Sequence, residues 1–138
     1  MSTIHDVALQ FFEACEAGKG WDGCREYCHP NATFSCQADS LAEVRTVADY
    51  AEWMRGLHTT LPDFDYKVRF FAADEARGSV AAYAVGGGTH VGEGGPVPPS
   101  GQRAEVDYAY VMEFEGGRIQ HVTKIWNDVQ AAKQLGWV

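Results

Sequence analysis

The spacing of apolar residues changes along the chain, from helical in the first part to alternating in the second. Ile4, Val7, Ala8, Phe11, Phe12 and Cys15 recur at three- and four-residue intervals and make one apolar face. That pattern predicts a first helix, capped by Ser2 or Thr3 and ended by Gly18 and Gly20. Trp21 to Tyr27 predicts a short second helix, stopped by His29-Pro30, with His29 as its cap. Asn31 to Cys36 predicts a short strand. Val44 to Leu57 predicts a third helix with the stripe Val47, Tyr50, Ala51, Trp53, Met54 and Leu57, broken by Pro62-Asp63.

From there the pattern is that of strands. Tyr66 to Ala73 is rich in β-branched and aromatic residues, and Asp74 to Gly78 is a turn. Ser79 to Val85 returns and continues irregularly through the glycines to His90; paired glycines in a strand mark a bulge or bend. A Gly/Pro loop runs from Gly92 to Gly101. Ala104 to Phe114 and Arg118 to Asp128 then form a hairpin about Glu115-Gly116-Gly117. Val129 to Leu135 predicts a closing helix, with Asp128 suited to its N-cap. Helices first and strands after is an α+β layout. The expected architecture is a single domain over residues 1–138. In it a cone-shaped, curved, mixed or antiparallel sheet wraps around the N-terminal helices, with a small-molecule pocket at the open end.

Composition narrows the partners. The 138 residues carry a formal net charge of −8, which argues against a nucleic-acid or anionic-membrane surface. No apolar run approaches the ~20 residues of a membrane span. The N-terminal Met-Ser-Thr-Ile-His-Asp lacks the basic and apolar regions of a signal peptide, so a cytoplasmic protein is expected. Cys15, Cys24, Cys28 and Cys36 all lie in the first quarter of the chain and read as reduced thiols. Cys24 and Cys28 would share a helix face beside His29. A zinc site needs a second tight Cys/His pair, so no metal is expected. The Gly92–Gly101 loop has no Walker Lys-Ser/Thr and no following helix, and no cofactor is expected either.

The strand-rich half then offers a resemblance. Gly88-Thr89-His90-x-Gly92, Pro98-Pro99-Ser100-Gly101, Gly117-Arg118-Ile119 and Gln134-Leu135-Gly136 resemble the SnoaL-like polyketide cyclases, within the superfold that also holds ketosteroid isomerase and scytalone dehydratase. The resemblance covers essentially the whole chain. It implies a cystatin-like α+β barrel and a homodimer through the sheet. It also implies a small hydrophobic ketone as ligand, and ring closure by intramolecular aldol addition driven by a His–Asp pair on the terminal hairpin. Anchored on Gly117-Arg118-Ile119, the family's His position falls at Tyr110 and its Asp position at Lys124; a gap would instead bring Asp128 toward the latter.

Neither residue type is kept, which changes the chemistry to be expected. A lysine there serves as a base only if burial lowers its pKa, or stays charged and stabilises an enolate beside a Tyr110 donor. The base would then come from elsewhere, and His90 and Asp107 are the candidates. Strand alternation puts Tyr108, Tyr110 and Met112 on one face and Val122, Lys124 and Trp126 on the facing one. It puts Asp107 on the opposite side. The candidate catalytic set is therefore His90, Asp107, Tyr110 and Lys124; the candidate ligand contacts are Trp53, Tyr108, Met112, Val122 and Trp126. A non-catalytic binding module and a dimeric structural domain of the same fold are the competing readings.

Overall fold

A computed structural model describes residues 3–138. Helix α1 spans Ile4–Glu16, and the Thr3 hydroxyl accepts from the Asp6 amide as its N-cap. Ser2 lies outside the described residues. Helix α2 is shorter than the spacing suggested, Gly20–Cys24, and tightens into a single 3-10 turn over Arg25–Tyr27. Strand β1 begins earlier, Cys28–Cys36. Cys24 and Cys28 thus fall on different elements and do not share a helix face. His29 lies in β1 and is no helix cap; its Nε2 donates to the Glu115 carbonyl across 2.6 Å. Among the described residues no group of three His, Cys, Asp or Glu side chains is placed to hold a metal ion.

Helix α3 runs Val47–Thr60, starting three residues later than expected because Thr46 caps it through the Asp49 amide. Strands β2 (Asp65–Asp74), β3 (Ser79–Thr89), β4 (Arg103–Glu115) and β5 (Arg118–Trp126) follow, then helix α4 (Asp128–Leu135). Asn127 caps α4 by accepting from the Gln130 amide, so the expected cap at Asp128 is displaced by one residue. Asp128 instead accepts from the Ser40 amide, 2.9 Å away.

The five strands form one curved, unclosed sheet in the order β1-β5-β4-β3-β2. The pair β1–β5 is parallel and the rest are antiparallel, so the sheet is mixed. The β4–β5 hairpin turns on Gly116 and Gly117, both at positive φ (61° and 83°), the conformation that glycine adopts without steric cost. At the other end of β4, Gly87 lets the strands close: a Cβ there would sit 1.7 Å from the Ala104 carbonyl oxygen.

Alternation in the strands sends one face inward. Val80, Ala82 and Ala84 of β3, Tyr108, Tyr110 and Met112 of β4, and Ile119 and Val122 of β5 are buried against Phe11, Phe12, Tyr50 and Met54 of α1 and α3. The outer face keeps exposed apolar residues, Phe70 and Ile125 among them. Among the described residues no helix is long and apolar enough to cross a membrane.

Candidate active site

Between the concave sheet face, α3, α4 and the Gly92–Gly101 loop lies a cavity of about 870 Å³. That lies within the ~300–1,000 Å³ typical of small-molecule sites. Its sides are apolar: Leu57, Leu61, Phe64, Val106, Leu135 and Trp137 contribute, and Trp53 and Trp126 pack edge to face with 5.9 Å between centroids. Ser40, Thr59, Thr60, Glu93 and Asp128 add polar groups to the lining, and the buried polar set Glu16, Tyr108 and Lys124 lies together on the wall, with Lys124 Nζ 5.4 Å from the centre of the Tyr108 ring.

Glu16 closes α1. It follows Phe12 by four positions, so it continues the helix's buried stripe and enters the core. Only 1% of it is exposed. Two strand tyrosines satisfy its carboxylate. The Tyr108 hydroxyl donates to Oε2 across 2.5 Å, and the Tyr110 hydroxyl makes a very short bond to Oε1. Burial pushes the Glu16 carboxyl above the usual carboxylate range; Lys124 and the two tyrosine hydrogen bonds oppose that rise. The tyrosine pKa values are raised, first by burial and next by Glu16, so both phenols remain donors.

Lys124 pairs directly across the hairpin with Tyr110. Its ammonium is enclosed by aromatic rings, with the centroids of Trp126, Tyr50 and Trp53 at 4.5, 5.1 and 5.4 Å. Nζ donates to the Tyr50 hydroxyl at 2.9 Å, and Tyr50 and Tyr110 share a very short hydrogen bond. Burial holds the lysine below its ordinary pKa, and Glu16 is the main group pulling it back up. The result is a carboxylate and an amine, each buried at the end of an apolar cavity and each moved toward neutral pH. Such a pair can take a proton from carbon and give one to oxygen.

The residues expected from the sequence separate into two sets. Lys124, Tyr108, Trp53 and Trp126 reach the cavity wall. Tyr110 stands immediately behind Glu16. Met112 and Val122 are fully buried in the core and are not part of that wall. Asp107 points the other way: it is exposed on the outer face, where it accepts from the Tyr83 hydroxyl at 2.9 Å. His90 is fully buried outside the wall. Its Nδ1 accepts from the Trp137 indole at 2.9 Å and from the Ser100 amide at 3.4 Å, so it ties the Gly/Pro loop to the C-terminus. Glu16 was not singled out from the sequence; the available signal was a carboxylate continuing the apolar face of α1.

A curved, unclosed five-stranded sheet packed on helices is the fold of NTF2-like proteins. One of these, from Burkholderia thailandensis, superposes with a TM-score of 0.77 at 17% identity, covering 97% of this chain and 98% of that one. Residues 6–135 match the SnoaL-like polyketide cyclase family, and the chain belongs to that family. IdmH of Streptomyces antibioticus, a candidate polyketide cyclase, is 25% identical with a TM-score of 0.75, over 98% of this chain and 99% of its own. A candidate SnoaL-like polyketide cyclase from Jannaschia sp. CCS1 is 18% identical with a TM-score of 0.79, over 96% and 90%. No curated protein matches the chain in sequence.

Proposed function

We propose that the chain is a cofactor-independent cyclase for a small, hydrophobic, multiply carbonylated substrate. Glu16 is the general base that removes a proton α to a carbonyl. Lys124 faces the enolate oxygen and donates to it, while the Tyr108 hydroxyl holds the Glu16 carboxylate in place. The nucleophilic carbon then adds to a second carbonyl of the same molecule, and the alkoxide formed takes a proton from Lys124. The walls supply orientation: an apolar cavity holds a flexible polyketone folded, so the two reacting carbons meet without solvent between them. Tyr110 acts through Glu16, and Asp107 and His90 have no part in the chemistry. The observation that carries this reading is that Glu16, Tyr108 and Lys124, buried and close together, all reach the wall of the cavity.

Two features of the partners and setting belong with it. The exposed Phe70 and Ile125 on the outer sheet face suit a homodimer through the sheet. Four free cysteines, three of them buried, suit a reducing, cytoplasmic setting for this single domain.

Solvent-deuterium exchange tests the chemistry without the natural substrate. 2-Tetralone, a small benzo-fused cyclic ketone, is incubated with the protein in D2O and its α-protons are followed by NMR. Exchange above the buffer rate is expected. Binding without any acceleration would favour the binding-module reading and remove the enzymatic one.

A further inference from the structure

The contacts at the cavity floor form a continuous line with a defined direction. Lys124 Nζ, an N–H donor, meets the Tyr50 oxygen. The Tyr110 hydroxyl hydrogen is committed to Glu16 Oε1. The Tyr110 oxygen is therefore free to accept, and the Tyr50 hydroxyl hydrogen is free to donate to it. One arrangement satisfies all three contacts: lysine to Tyr50, Tyr50 to Tyr110, Tyr110 to glutamate. The reverse arrangement satisfies them equally well: protonated Glu16 to Tyr110, Tyr110 to Tyr50, Tyr50 to an unprotonated lysine. Tyr50 and Tyr110 are fully buried, and neither belongs to the cavity wall.

We propose that Tyr50 and Tyr110 are a proton relay that resets the Glu16–Lys124 pair between turnovers. The inference rests on the reading of Glu16 as base and Lys124 as donor. An aldol ring closure takes one proton from carbon and delivers one to oxygen. With those roles, each turnover leaves Glu16 protonated and Lys124 one proton short. The relay corrects this internally. The Glu16 O–H bond breaks as a Tyr110 O–H bond forms, the former Tyr110 hydrogen passes to Tyr50, and the former Tyr50 hydrogen passes to Lys124 Nζ. Three O–H bonds break, and two O–H bonds and one N–H bond form. The carboxylate and ammonium are restored, and no co-reactant is used. Neither tyrosine is ever ionised when the transfers are concerted, in keeping with burial having raised both phenols.

Other titratable groups adjoin this line. Cys15 and His58 neighbour the glutamate end, and Cys36 adjoins Lys124. The hydrogen-bonded path itself runs only through the two tyrosines. Tyr50 is also held by stacking on Phe34, 4.3 Å between centroids, and on Trp53. A phenylalanine at position 50 therefore retains the packing and removes only the link.

The test is proton-exchange NMR on the substrate-free protein, with 15N-labelled lysine and 13C-labelled tyrosine. Exchange cross-peaks are expected from the Lys124 ammonium to the Tyr50 hydroxyl and from Tyr50 to the Tyr110 hydroxyl, and at long mixing times relayed peaks between Lys124 and Tyr110. Tyr50→Phe should lose the relayed peaks while the Lys124 and Tyr110 resonances persist, and Tyr110→Phe should lose the exchange reaching Glu16. Absence of the cross-peaks in wild type, or survival of the relayed peaks in Tyr50→Phe, overturns the relay. Loss of turnover in Glu16→Gln tests the underlying acid–base reading, so the two ideas fail separately.

Discussion

The floor and the rim of the cavity are both polar and both buried, yet they are organised differently. At the floor, Glu16, Tyr108, Tyr110, Tyr50 and Lys124 satisfy one another in a single chain of donors and acceptors. At the rim, His90 takes two bonds on Nδ1, while its Nε2 is buried without a partner. Trp137 donates to Nδ1, so the ring proton sits on Nε2. The floor joins a carboxylate to an amine through hydroxyls that both donate and accept hydrogen bonds. The rim joins a loop to a terminus through a group that only accepts. A buried histidine near a pocket is thus a poorer guide to chemistry than a charge with no structural reason to be inside.

The largest expected effect comes at the floor. Glu16→Gln should lower ketone α-proton exchange by about 100-fold or more, the range for removal of a general base. The amide retains the volume and can still accept from a tyrosine, so circular dichroism should be unchanged.

Next comes Lys124→Met, read by urea unfolding. The folded Glu16 pKa lies above its unfolded value, so its stability contribution is present in full below the unfolded pKa. It is lost as pH rises through the folded pKa. Removing the lysine raises that folded pKa further. The deficit against wild type should therefore be small near pH 4 and reach about 3 kcal/mol by pH 8, as for other broken buried pairs. The double variant with Glu16→Gln should recover part of it. A deficit that shrinks as pH rises would contradict the pairing.

At the rim the effects should be smaller and confined to stability. His90→Asn keeps an acceptor near the Nδ1 position and should cost about 1–2 kcal/mol through imperfect geometry and lost packing. Exchange at saturating ketone should remain within about twofold of wild type, since at most ~0.4 kcal/mol of barrier is at stake. The smallest effect belongs to the outer face. Asp107→Asn should leave both the exchange rate and the melting temperature unchanged.

Much of this was visible in the sequence, for reasons that also mark where it stopped. Strand alternation placed Tyr108, Tyr110, Lys124 and Trp126 on one face, and the hairpin pairs Tyr110 with Lys124 and Tyr108 with Trp126. The same alternation set Asp107 apart. Local rules found the hairpin turn and the helices, but they erred where neighbouring residues compete as caps. Asn127 won over Asp128, and Thr46 moved the start of α3. Glu16 went unnoticed because a polar residue at a helix end is ordinarily solvated. Its burial depends on tyrosines more than ninety residues away, which local pattern does not report. Tyr50 looked like core and is core; only the register between α3 and the hairpin makes its hydroxyl a link.

The most direct test compares floor and rim in one experiment: the 2-tetralone exchange rate at saturation for wild type, Glu16→Gln and His90→Asn. The account predicts accelerated exchange in wild type, its loss in Glu16→Gln and its retention in His90→Asn. Retention in Glu16→Gln, with loss in His90→Asn, would move the chemistry to the rim and contradict the account.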